Sequence, residues 1–166
     1  MTPLLRQWPL AAFLISAAML ATAHAFETFG GLAPCTLCLQ QRDVYWVALA
    51  VSAAAFLLQR TPTRRLAWLF GIALFLVFAT GAFIAARHAG AEWKWWPGPT
   101  TCSSGGGGAS AAGLSNLLKG ARIAPPRCDE AAWRMFGLSM AGYNFPISLG
   151  LAGMSAWWAA RARTDG

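Results

Sequence analysis

The chain has 166 residues, 57% of them hydrophobic and 11% charged, with a mean hydropathy of +0.46. Soluble domains are roughly half apolar and a quarter charged, so this balance excludes an ordinary soluble domain and places the chain in a bilayer as a single membrane domain. The formal charge of +7 does not mark a nucleic-acid binder, because the basic residues bracket apolar runs and form neither one patch nor one helical stripe.

In chain order, the apolar runs predict an all-α membrane protein, a bundle of four transmembrane helices at about 8–26, 39–58, 66–86 and 141–160. Residues 8–26 follow Arg6 and hold no Asp, Glu, Lys or Arg. As a helix they span about 28 Å, close to the ~30 Å hydrocarbon core. A cleaved signal peptide is the competing reading, since Ala23-His24-Ala25 has the form of an Ala-x-Ala site. Either way residue 26 lies on the outer side. A short outer loop, about 27–38, leads to a run of only 15 uncharged residues at 44–58. That run is too short to span alone. The second helix must therefore extend through Asp43 and Arg42 towards Cys38, with the charged pair at the outer interface and the thiols at or just above it.

The stretch 59–65 carries Arg60, Arg64 and Arg65 around Pro62, whereas 27–33 carries no Lys or Arg. This contrast between short loops puts both termini on the cytoplasmic side. Residues 66–86 form the third helix, which ends at Arg87-His88. A long outer loop, about 87–140, then holds Trp93, Lys94, Trp95 and Trp96, Cys102, four glycines at 105–108, Pro125-Pro126 and Cys128. The tryptophans read as an interfacial belt. Leu114, Leu117 and Leu118 have helical spacing, in a segment that lies along the membrane surface or packs on the bundle top. The fourth helix includes Pro146, and Arg161 and Arg163 follow it.

The chemistry centres on Pro34-Cys35-Thr36-Leu37-Cys38-Leu39-Gln40-Gln41-Arg42. If this stretch is helical throughout, about 100° per residue puts Cys35 and Arg42 nearly in line with Cys38 close by. Pro34 is a residue type that opens helices, and a helix N-terminus with a nearby cation favours the reactive thiolate. All four cysteines fall on the outer side, where disulfides persist. A bridge between Cys35 and Cys38 closes too small a loop to constrain the unfolded chain much, so that pair reads as redox-active. Cys102 and Cys128 suit either a structural bridge or one that opens and exchanges. Two other classes compete with a redox enzyme. One is a metal-binding membrane protein, against which stands the wide separation of Cys102 from Cys128. The other is an assembly protein in which Arg42 and Asp43 only anchor a helix at the headgroups. No Gly-rich phosphate loop and no His-Glu-x-x-His zinc motif is present.

The Pro-Cys-x-Leu-Cys-x-x-x-Arg motif at 34–42, the four-helix hydropathy pattern and two further cysteines in a long second loop resemble the DsbB family of quinone-linked thiol oxidases. Cys128-Asp129-Glu130-Ala131-Ala132-Trp133 and Phe136-Gly137-Leu138-Ser139-Met140 are similar to the family's segment entering its last helix. The glycine run at 105–108 departs from it. The resemblance implies a bacterial inner-membrane enzyme with its cysteines periplasmic. Cys102 would meet a thioredoxin-fold thiol oxidase of the DsbA type, Cys128 would engage Cys35, and Cys38 would be freed beside ubiquinone or menaquinone. Arg42 and His88 would be the quinone-site residues, with no metal required. A quinone suits the demand, because each ~30 mV of extra oxidising power corresponds to about 1.4 kcal/mol for a two-electron couple. A vitamin-K-epoxide-reductase-like protein is the alternative, although its quinone-side pair lies near its last core helix.

Overall fold

The computed structural model describes residues 7–60, 66–98 and 128–164. These residues are mostly helical: α1 Trp8–Thr28, α2 Thr36–Leu58, α3 Ala67–Glu92 and α4 Met140–Thr164. A two-stranded antiparallel hairpin, β1 Arg134–Met135 and β2 Leu138–Ser139, precedes α4. Cys102, the glycine run at 105–108, the leucines at 114–118, Pro125-Pro126, Arg6, Pro62, Arg64 and Arg65 lie outside the described residues.

The helices depart from the expected limits in informative ways. Helix α2 starts at Thr36 because Cys35 caps it. Helix α3 runs to Glu92, six residues beyond the expected end at 86, so the second loop begins at Trp93 and not at 87. Arg87 and His88 end the apolar run but not the helix, because a charged residue breaks hydropathy without breaking backbone hydrogen bonding. The real stop is chiral: Lys94 takes a left-handed φ of 61°, and the Trp95 N–H closes on the Gly90 carbonyl at 2.9 Å. Trp96 folds back over Gly90, where a Cβ would meet its ring at 2.0 Å, and its Nε1 donates to the Arg87 carbonyl at 2.9 Å. In the last turn of α4, Arg161 and Arg163 complement the negative end of the helix dipole.

Helix α2 packs between α1 and α3, and α4 lies along α3. Trp8 Nε1 donates to Ser155 Oγ at 3.3 Å and links α1 to α4. Leu20, Tyr45, Leu74, Phe78, Leu151 and Trp158 form the core. The apolar side chains of Leu14, Leu76, Phe83 and Leu149 point outwards and are exposed. By length and composition α1 and α3 are able to cross a membrane. Helices α2 and α4 are as long, but they turn Gln41, Tyr45 and Ser52, and Asn144, Ser148 and Ser155, into the bundle. Buried polar residues of this kind lower a helix's hydropathy while costing little where they find partners.

Close approach of α3 and α4 needs a missing side chain at Gly71, where a Cβ would meet Ala159 Cβ at 2.7 Å and Trp158 at 2.8 Å. Gly71→Val is expected to destabilise the bundle by about 1–3 kcal/mol through overpacking. A lower apparent melting temperature in detergent checks this. An unchanged one would mean that the helices separate without cost.

Candidate active site

Helix α2 begins on a sulfur. Cys35 is its N-cap, with extended backbone (φ −79°, ψ 170°), and its Sγ accepts the Cys38 N–H at 3.3 Å. A capping atom that accepts from the first turn is favoured when negatively charged. Because Cys35 lies outside the helix, the 100° spacing does not apply to it, and Pro34 precedes the cap instead of opening the helix. Cys38 brings its own sulfur within 2.8 Å of Cys35 Sγ, and both thiols are free. Only a small approach separates them from a ~2.05 Å disulfide bond. From α3, His88 Nε2 reaches to 3.6 Å from Cys35 Sγ. The Cys35 thiol is lowered to about 4, chiefly by the hydrogen bond from the Cys38 thiol; burial opposes the shift, and the hydrogen bond to His88 adds to it.

Cys128 joins this centre from the far side of the second loop. It is 1% exposed and belongs to one packed cluster with Cys35 and Leu37, with Cys38 and Ile84 at its edge. It is disulfide-bonded. Lys94 Nζ clamps the neighbouring backbone, donating to the Asp129 carbonyl at 2.8 Å and to its carboxylate at 2.9 Å. The structure thus assembles Cys35, Cys38, His88 and Cys128, while Cys102 falls outside the described residues.

Arg42 takes another direction. Its guanidinium pairs with Glu27 and donates to the Ala23 carbonyl at 3.1 Å, so it clasps the C-terminal end of α1 to α2. Glu27 is in the last turn of α1, which runs to Thr28, beyond the expected helix end at 26.

Three buried residues that sequence reasoning passed over surround His88. Gln41 Nε2 meets His88 Nδ1 at 3.0 Å, and Asn144 of α4 donates to Gln41 Oε1. Glu92 lies one turn beyond His88, with Oε1 3.5 Å from Nε2, and its other oxygen accepts from Ser139 Oγ. The available signal was their position: an amide or carboxylate at the edge of an apolar helix is costly without a partner and therefore marks a contact. The ligand atoms of Cys35, Cys38 and His88 lie within 4.8 Å of one another. Among the described residues these three donors are one short of a closed structural zinc site, and disulfide formation removes two of them.

A family model described as "Disulfide bond formation protein DsbB" matches residues 5–158. The chain belongs to the DsbB family. This DsbB-family chain is 35% identical over 153 residues to Disulfide bond formation protein B of Methylococcus capsulatus, covering 88% of this chain and 90% of that protein. It is 30% identical over 166 residues to Disulfide bond formation protein B of Xylella fastidiosa, covering 93% and 90%. It is 29% identical over 158 residues to Disulfide bond formation protein B 2 of Pseudomonas entomophila, again covering 93% and 90%. No solved structure matches it. In a DsbB-family protein, two adjacent thiols packed beside a third, disulfide-bonded cysteine are the parts that thiol–disulfide exchange requires.

Proposed function

We propose that this DsbB-family membrane disulfide oxidoreductase reoxidises a periplasmic thiol oxidase of the DsbA type and passes the electrons to ubiquinone or menaquinone. The observation that carries this reading is the position of the Cys35 sulfur, 2.8 Å from Cys38 and in one packed cluster with Cys128. A sulfur beside a second thiol and packed in one cluster with a third cysteine is what a relay needs. The reduced partner opens the Cys102–Cys128 disulfide by way of Cys102 and leaves oxidised. The Cys102 and Cys128 thiols then close their bond again by opening a Cys35–Cys38 disulfide, with Cys128 attacking Cys35. The Cys35–Cys38 dithiol finally gives up two electrons and two protons as it reoxidises.

A bound quinone would supply the sink for those electrons. The residues fit such a group: Cys38 is only half-buried whereas Cys35 is buried, so Cys38 is the thiol open to an acceptor among apolar helices. Arg42, on the same end of α2, and His88 would hold it. The same reading makes residues 1–166 a single membrane domain with four spans, a short first and a long second periplasmic loop, and both termini cytoplasmic. The apolar outward faces and the inward-facing polar residues of α2 and α4 support this.

The test is purified protein supplied with reduced DsbA-type oxidase and a ubiquinone or menaquinone analogue. One quinone should be reduced per partner disulfide formed, and no quinone reduction would overturn the proposal. Arg42→Leu is expected to insert normally and turn over slowly. Loss of the inserted protein instead would make the clasp to Glu27 the whole role of Arg42.

A further inference from the structure

The hydrogen-bond array behind His88 has a fixed direction. It starts at a group that cannot reverse, the Leu37 backbone carbonyl, which only accepts; the Gln41 side-chain atom facing it at 3.3 Å must therefore be the amide nitrogen. That places Gln41 Oε1 opposite Asn144, whose Nδ2 donates to it. Asn144 Oδ1 in turn accepts from the Tyr45 hydroxyl and from Ser148 Oγ, the latter at 3.2 Å. Every polar atom of the two amides named here has a partner in this orientation. Reversing Gln41 would set its oxygen against the Leu37 carbonyl and its nitrogen against the Asn144 nitrogen. In a buried site such mismatches are costly.

The second hydrogen of Gln41 Nε2 points at His88 Nδ1, 3.0 Å away. Nδ1 is thereby the accepting nitrogen, and the imidazole proton sits on Nε2. Nε2 faces Cys35 Sγ at 3.6 Å and Glu92 Oε1 at 3.5 Å. Both neighbours accept from an N–H when ionised. Adding a proton at Nδ1 would point N–H at N–H.

We propose that Gln41 and Asn144 are positioning residues that hold His88 in its Nε2-protonated tautomer, so that it meets the Cys35 sulfur as a hydrogen-bond donor and not as a base. In this arrangement the Cys35 proton does not pass to His88. The Nε2–H instead steadies the charge on sulfur while Cys35 exchanges. The inference rests on the thiol-oxidase reading for its importance, but its test does not use turnover.

The chain has two histidines, His24 and His88, so ¹⁵N-histidine labelling of the full protein in detergent gives two imidazoles to assign. A His88→Gln sample assigns them by loss of one set. In reduced protein at neutral pH, His88 should show an unprotonated Nδ1 and a protonated Nε2. A protonated Nδ1 in the wild type would overturn the proposal without any variant. Gln41→Glu puts a carboxylate, which only accepts, against Nδ1 and should move that resonance to the protonated range. An Nδ1 resonance that stays unchanged in folded Gln41→Glu protein even at alkaline pH, where the new carboxyl is ionised and only accepts, would show that Gln41 merely fills space. Because the readout is a chemical shift, its failure is distinguishable from a failure of quinone-linked oxidation.

Discussion

Cys38→Ser protein is expected to reduce no quinone above background while accumulating a disulfide between Cys35 and Cys128. Serine keeps the size of the side chain but forms no bond to sulfur, so electrons that reach Cys35 have no second sulfur to continue through. Folding should survive. The start of α2 is capped by the Cys35 sulfur accepting the Cys38 backbone N–H, which the substitution leaves in place. With its usual partner gone, the Cys35 thiolate, in the same packed cluster as Cys128, attacks a Cys102–Cys128 disulfide at Cys128 and releases Cys102 as a thiol, so the exchange stops at the Cys35–Cys128 bond. Peptide mass mapping of the purified variant before any partner is added would show that cross-loop bond. Full turnover by this variant would refute the relay.

The second large effect is on acidity. In reduced protein, Cys35 should be a thiolate down to about pH 4, far below the ordinary thiol range. The direction of the linked stability follows from the depressed value. The reduced, folded protein gains stability as pH rises from about 4 towards the ordinary thiol range, keeps the full gain above that range, and loses it on acidification through about 4. Stabilising the dithiol form also makes the Cys35–Cys38 disulfide a stronger oxidant, which helps it accept electrons from the second pair. His88→Phe removes one donor to this sulfur. A hydrogen bond to a charged group is worth about 1.5–3 kcal/mol, so the midpoint should rise by about 1–2 pH units. Ultraviolet thiolate absorbance across a pH titration measures both proteins. A wild-type midpoint in the ordinary thiol range, or none of the expected rise in the variant, would remove His88 from the chemistry of Cys35.

Placed beside each other, His88 and Arg42 show how the two kinds of information divide. Each is a polar residue beside another charged one, Asp43 or Arg87, near one end of an apolar run, and hydropathy alone treats them alike. In three dimensions His88 turns to the thiols and Arg42 turns to Glu27. The choice depends on the rotation of α2 against α1 and α3, which small residues and close approaches determine jointly.

What the sequence determined by itself is the set of local, one-dimensional features. Long apolar runs require helices because backbone groups away from water must bond within their own segment, and the spacing of Cys35 and Cys38 allows the first sulfur to cap the helix that carries the second. Only the tertiary structure decided the rest: the continuation of α3 to Glu92, the arrival of Cys128 beside Cys35, and the amide array from Tyr45 through Asn144 and Gln41 to His88. These partners are 47 to 103 positions apart in the hydrogen bonds that join the helices. Hydropathy and helical period describe one segment at a time, whereas a buried donor finds its acceptor only when the helices are packed together.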